Sequence, residues 1–240
     1  MKALLALALT LVLSGSAFAQ ESVFGTLGFG LPEDGLSIRS RGMGSTSTAL
    51  PRIHFGFRNA ASLAVFDRTG VTLTGTLQRR SPEDSAGSSS QSSMEFPLLQ
   101  LVFPLPADFV LGGGVYRYLD FDGFVDTATV FGADSLPVRL TTEGGISVIS
   151  PQLARRFTRF LRVGGGIDFY TGSRERNRRV AFDPETGVST TDSIAHDFNG
   201  SGFSLGVQIA PFERLLLGAS YRSGASLDGE LTARPGFGLD

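Results

Sequence analysis

The sequence contains no cysteine, a single lysine and only two histidines among its 240 residues. Without cysteine the chain cannot form disulfide bonds, a thiolate metal site or a cysteine nucleophile, and two histidines are too few for a histidine-rich metal centre. Charged residues make up only 18% of the chain and the formal net charge is -2. No basic surface is therefore available for nucleic acid. We expect no metal, no cofactor and no nucleic-acid partner.

The first residues have the features of an export signal. Lys2 supplies a positive charge, residues 3–13 are apolar apart from Thr10, and small residues lead to Ala19. This pattern predicts a signal peptide over residues 1–19 with cleavage after Ala19. The apolar run is shorter than the ~20 residues that a helix needs to cross a bilayer, which argues against a membrane anchor.

Apolar and polar residues alternate with period two in several later segments, as in strands that have one apolar face. The clearest example is 161–170, where Leu161, Val163, Ile167 and Phe169 alternate with residues such as Arg162 and Asp168. The patterns predict seven strands, at 71–78, 94–103, 108–119, 143–156, 161–170, 202–209 and 214–223.

The connections between these strands alternate in length. Those at 79–93, 120–142 and 172–199 are long, and those at 104–107, 157–159 and 211–213 are short. This alternation is typical of an all-β, antiparallel up-and-down transmembrane barrel with long outer loops and brief periplasmic turns. In such a barrel we expect the apolar residues of 161–170 to face lipid, and Arg162 and Asp168 to face the lumen. A soluble periplasmic β-sandwich is the alternative, because its strands also alternate around a core.

Glycine is abundant, with 31 residues, and part of it recurs in a weak repeat. Leu111-Gly-Gly-Gly-Val115 reappears as Val163-Gly-Gly-Gly-Ile167, and Leu217-Gly-Ala-Ser220 follows later. No helical pattern comes after these glycines, so a dinucleotide site is a poor interpretation. Glycine on the inward face of a strand relieves crowding or lets the strand bend.

Catalytic motifs are weak. Ser193 lies near the pair His196-Asp197, but no nucleophile elbow accompanies them. The run Asp120–Asp126 lacks the ligand spacing of a calcium loop. We therefore expect that the protein is not an enzyme.

The stretch 20–68 is rich in glycine and does not alternate. Within it, 40–49 (SRGMGSTSTA) and 57–64 (FRNAASLA) resemble the amino-terminal region of FadL-type outer-membrane transport proteins, to which PorV-type barrels are related. The resemblance implies an N-terminal hatch at 20–68 and barrel strands at 69–240, in the outer membrane. Ala60 stands where the family has proline. The hatch residues implied are Gly42, Met43, Gly44, Asn59, Ala60 and Ala61.

The resemblance also implies passage of hydrophobic molecules such as long-chain fatty acids. The segment 96–103 is apolar on both faces, so part of the lumen would be apolar, and an apolar wall suits an amphipathic ligand. Phe96, Leu98 and Val102 are the candidate ligand-binding residues. The expected partners are outer-membrane lipid and a hydrophobic small molecule. The alternative is a PorV-like barrel that acts in protein interaction or secretion without transport.

Seven strands is an odd number, whereas single-chain bacterial barrels have an even number. Seven is also half of the fourteen strands that the resemblance implies. We therefore expect an incomplete barrel: an open sheet in which the strand at 71–78 does not pair with the strand at 214–223. An overlooked eighth strand that closes a small barrel is the alternative.

Overall fold

The computed structural model describes residues 30–32, 37–44, 48–49, 56–80, 83–84, 87–88, 91–131, 134–183, 188–212 and 215–234. The predicted signal peptide and its cleavage site lie outside these residues, as does much of the predicted hatch segment before residue 56. Among the residues described, no helix has the length and apolar character needed to cross a membrane.

Strands dominate the described chain, with two short helical segments near its start. The helices are α1 (Ile38–Gly42) and a 3₁₀ helix (Ala60–Val65). The strands are β1 (Leu31–Pro32), β2 (Gly70–Arg80), β3 (Glu83–Asp84), β4 (Gly87–Ser88), β5 (Gln91–Pro104), β6 (Phe109–Asp120), β7 (Gly123–Phe131), β8 (Asp134–Arg156), β9 (Leu161–Asp183), β10 (Val188–Phe212), β11 (Leu215–Arg222) and β12 (Ser226–Arg234).

Ten of the described strands form one antiparallel sheet with the order β2-β5-β6-β8-β9-β10-β11, to which β1, β7 and β12 add shorter ladders. The all-β prediction is confirmed. Each of the seven predicted strands is present, and each pairs with the predicted strand that precedes or follows it along the chain. Within the described residues no ladder joins β2 to β11, so the predicted open sheet is also confirmed. The remaining described strands, β3 and β4, pair only with each other, and this is not the second layer of a β-sandwich.

Two of the predicted long loops, at 120–142 and 172–199, are wrong, because most of their residues continue the strands. β7 pairs with the first part of β8, and β9 and β10 pair as far as Asp183 and Val188. These extensions carry polar residues on both faces and so show no alternation. In one of them Arg139 donates to both carboxylate oxygens of Asp126, at 2.7 and 2.8 Å, and lowers the pKa of that carboxyl.

The two faces of the sheet differ sharply. We call inner the face that residues 56–66 cover, and outer the opposite one. Leu73, Leu99, Val115, Ile149 and Phe169 lie side by side in a row across five strands of the outer face. Their exposed fractions lie between 40% and 61%. In β9, Val163, Ile167 and Phe169 are exposed whereas Asp168 is fully buried, so the predicted register of this strand is correct.

Candidate functional site

The inner face of the sheet is covered by the chain that precedes β2. We call residues 56–66 the inner segment; its core is the 3₁₀ helix Ala60–Val65, which packs against β6, β8, β9 and β10. Leu63, Ala64 and Phe66 form an apolar cluster with Val102, Val110 and Ala154 of the sheet. The segment therefore acts as a second layer that gives the inner face its core.

Asn59 fixes the segment to the far strands. Its side chain is fully buried, and its Oδ1 accepts a hydrogen bond from the amide of Ala61, as a cap of the 3₁₀ helix. Its Nδ2 donates to the carbonyl oxygens of Thr48, Val207 and Ala219, at 2.9, 3.1 and 3.2 Å. One amide side chain thus ties the N-terminal region to β10 and β11.

Glycines in the sheet allow this close approach. Five of them face atoms of the N-terminal region: Gly112 faces Leu63, Gly114 faces Phe57, Gly164 faces Ala60, Gly206 faces Asn59 and Gly218 faces Thr48. At Gly164, an added Cβ would lie 2.5 Å from the carbonyl carbon of Ala60, which is a severe overlap. The first glycine in each copy of the sequence repeat is among these five. The prediction that inward glycines relieve crowding is therefore confirmed.

A polar cluster lies next to this contact. Asp168 of β9 is fully buried; it accepts a hydrogen bond from the Ser150 hydroxyl and forms an ion pair with Arg222, whose Nε lies 2.9 Å from Asp168 Oδ2. Arg222 and Gln152 also donate to the carbonyl oxygen of Phe57, each at 3.3 Å. The cluster joins β8, β9 and β11 to the inner segment and so helps to position it.

The predicted hatch residues fall into two groups. Asn59, Ala60 and Ala61 are buried in the inner segment, whereas Gly42, Met43 and Gly44 are exposed at the end of α1. Space is open around both glycines of the second group. The resemblance assigned all six residues to one hatch, whereas the structure buries one group against the sheet and leaves the other exposed.

The predicted ligand-binding residues are also separated. Leu98 and Val102 are buried on the inner face, with exposed fractions of 1% and 0%, while Phe96 is 61% exposed on the outer face. A β-bulge explains the difference: Thr74 pairs with Leu98 but Thr76 pairs with Glu95, so β5 contains one extra residue there. Leu98 belongs to the apolar cluster around Phe57 and is core rather than an open wall.

Sequence reasoning placed Asp168 on the inward face but did not find its partners. The available signal was a carboxylate on the inward face of one strand together with an arginine, Arg222, on the inward face of another. Neither buried group could remain charged alone, so a pairing was implied. Ser150 had no comparable signal.

A family model matches residues 1–232 of the chain, and the family is BamG. The chain belongs to the BamG family. The resemblance to FadL-type transport proteins is therefore wrong as an assignment. It rested on small residues around Met43 and around Asn59. Close packing against the sheet accounts for the small residues after Asn59, whereas Gly42 and Gly44 are exposed and make no such contact. No curated protein and no solved structure matches the chain significantly.

BamG is an outer-membrane-associated family, which agrees with the predicted location at that level. Cleavage after Ala19 stays a prediction.

Proposed function

We propose that this BamG-family protein is an outer-membrane β-sheet protein that acts as an interaction component linked to the BAM complex, and that it does not carry a ligand across the membrane. The link to the BAM complex is supported by the family, which is associated with that complex. The observation that carries the proposal against transport is the inner segment, which occupies the inner face of the sheet.

The outer face supports contact with lipid. A row of five large apolar side chains exposed at one level of the sheet suits a hydrocarbon environment, and such a surface is costly in water. β8, β9 and β10 contain 23, 23 and 25 residues, more than twice the ~9–11 that a tilted strand needs to cross a bilayer. The polar hairpin ends of these strands would therefore project from the membrane, where a partner protein can reach them.

Transport of hydrophobic molecules such as fatty acids is the alternative. A ligand that moved along the inner face would have to displace Leu63 and Asn59, which are fully buried there. Displacement would break the bonds from Asn59 to β10 and β11 as well as the apolar cluster. The burial and the bonds of the inner segment therefore support a structural layer on the inner face and argue against a passage for a ligand.

The test uses a tagged full-length chain in its own host. Membrane fractionation and a heat-modifiability gel first establish whether the protein is a folded outer-membrane protein. The tagged chain is then isolated from detergent extracts, and BAM-complex subunits are quantified against an equally abundant tagged outer-membrane protein. In parallel, uptake of a labelled fatty acid is measured after deletion of the gene.

We expect enrichment of BAM-complex subunits over the control and unchanged uptake in the deletion strain. Loss of uptake without that enrichment would contradict the proposal and favour transport.

A further inference from the structure

A pocket of about 500 Å³ opens on the outer face, where β2, β5, β6 and β8 adjoin. Its volume falls within the range of small-molecule sites, roughly 300–1,000 Å³. The apolar part of its lining comes from Leu73, Phe96, Leu99 and Val115. These side chains belong to the exposed outer surface, and the lining also reaches the buried Tyr116.

The local sequence explains the depression. On the β8 side the lining residues are Gly144, Gly145 and Ser147, which have little or no side chain. On the β6 side the register shifts between Arg117 and Leu119, a bulge that alters the direction of the following residues. The bulge in β5 turns Phe96 outward to form the opposite wall. The pocket thus depends on two bulges and a small-residue stretch on neighbouring strands.

The lining of the pocket contains one charged residue, Arg117, and the carboxylates of Asp120 and Asp122 lie against this guanidinium next to the lining. Arg117 donates to Asp120 at 2.8 Å, to Asp122 at 3.4 Å and to the carbonyl oxygen of Gly144 at 3.1 Å. Asp122 also accepts from the amide of Gly144, and its side chain is 42% exposed. The Arg117 guanidinium and the partly exposed Asp122 carboxylate thus present one group of each sign. A zwitterion can place its cation at Asp122 and its anion at Arg117.

We propose that this pocket binds one zwitterionic phospholipid from the surrounding membrane. The acyl chain lies against Leu73, Phe96, Leu99 and Val115, the phosphate meets Arg117 and the ammonium group meets Asp122. The inference rests on the proposed membrane location, because only there does the outer face meet phospholipid. It adds a specific lipid site to an otherwise general apolar surface.

The chain contains no tryptophan, so a single introduced tryptophan reports on one position. Leu99→Trp places the reporter in the pocket. Phe169→Trp places it outside the pocket but in the same cross-strand row of the outer face, so it reports general lipid contact. Each variant is reconstituted in phosphatidylcholine vesicles that contain a small, equal fraction of acyl-brominated phosphatidylethanolamine or phosphatidylglycerol. Bromine quenches tryptophan on contact.

We expect Leu99→Trp to be quenched about two- to fivefold more effectively by the ethanolamine lipid than by the glycerol lipid, the ratio that an ion pair of this exposure provides. Phe169→Trp should respond equally to both lipids. Adding Asp122→Asn or Ser147→Leu to Leu99→Trp should remove the preference, the first by loss of charge and the second by filling the pocket.

Other outcomes are distinguishable. If the ethanolamine and glycerol lipids quenched equally at Leu99→Trp, as expected at Phe169→Trp, the lipid site would be overturned and only general lipid contact would remain. A preference for the glycerol lipid would overturn the zwitterionic assignment. No quenching at either position would show that the outer face does not meet lipid, in which case the proposed membrane location fails as well.

Discussion

Replacing Asn59 by aspartate tests whether the inner segment is a structural layer of the fold. The substitution retains the side-chain shape and the oxygen that accepts from the Ala61 amide. It removes the NH₂ group that donates to the carbonyl oxygens of Thr48, Val207 and Ala219. In its place a carboxylate oxygen would face three carbonyl oxygens in a fully buried position.

The expected loss is large. Each net hydrogen bond contributes ~1 kcal/mol, and a buried acceptor left without a donor costs ~1–3 kcal/mol. Burial of an unpaired carboxylate costs several kcal/mol more. We expect the free energy of unfolding to fall by at least ~4 kcal/mol, a large part of the ~5–15 kcal/mol that a typical domain has.

The assay is urea unfolding of the protein reconstituted in detergent or liposomes, read by the heat-modifiable shift on a gel. Asn199→Asp is the matched control, because Asn199 is exposed on β10 and its Oδ1 accepts from Thr171, a role that aspartate preserves. The control should change stability by less than ~0.5 kcal/mol. If Asn59→Asp unfolded at the same urea concentration as the control, the inner segment would not be anchored as described.

Three further substitutions test other parts of the structure, the first two by the same unfolding assay. Gly164→Ala should destabilise by ~1–3 kcal/mol through overlap with Ala60, whereas Gly75→Ala, with only ordinary contact to Phe96, should have a much smaller effect; equal losses would refute the close approach. Asp168→Ala should cost ~3–5 kcal/mol because Arg222 loses its partner, while Asp126→Ala in an exposed pair should cost at most ~1 kcal/mol; a small effect at Asp168 would remove the cluster's structural role. In membranes, Val163→Arg should lower the folded fraction, since a charge on the lipid face costs ~2–4 kcal/mol at the midplane, and Arg162→Ala should be tolerated; the reverse result would show that the proposed lipid face is wrong.

The sequence was sufficient to predict the clearest strands, at 71–78, 161–170 and 202–209, because each has one apolar and one polar or small-residue face, which gives a strong period-two signal. The hairpin extensions could not be found in this way. Arg139 and Asp126 are both exposed, and pairing between solvated strands leaves no alternation to detect. The bulge in β5 was also hidden, because 96–103 is apolar on both faces and either register would bury a similar side chain.

The candidate site was partly predictable. The repeat at Gly112, Gly164 and Gly218 correctly indicated crowding on the inward face, although nothing in the sequence named the atoms that cause it. Asn59 was singled out through the resemblance to FadL-type proteins, and that assignment is wrong. The residue is nevertheless central to the structure, because a buried amide that caps a helix and reaches carbonyl oxygens on two strands is a packing requirement independent of transport.

The contacts of Asn59 also indicate when the inner segment joins the fold. Its bonds to Val207 and Ala219 span 148 and 160 residues, whereas neighbouring strands such as β8 and β9 are joined by a short turn. Contacts that close long loops cost more chain entropy, so the local hairpins should form first and the segment should dock once β10 and β11 are in place. During refolding, pulsed hydrogen exchange should therefore show protection of Ile149 and Phe169 in the β8–β9 ladder before protection of Ala61 and Ser62. The amides of these last two bond to Asn59 Oδ1 and to the Asn59 carbonyl oxygen. Protection of Ala61 at the same time as, or earlier than, the β8–β9 ladder would mean that the segment nucleates the sheet instead of covering it.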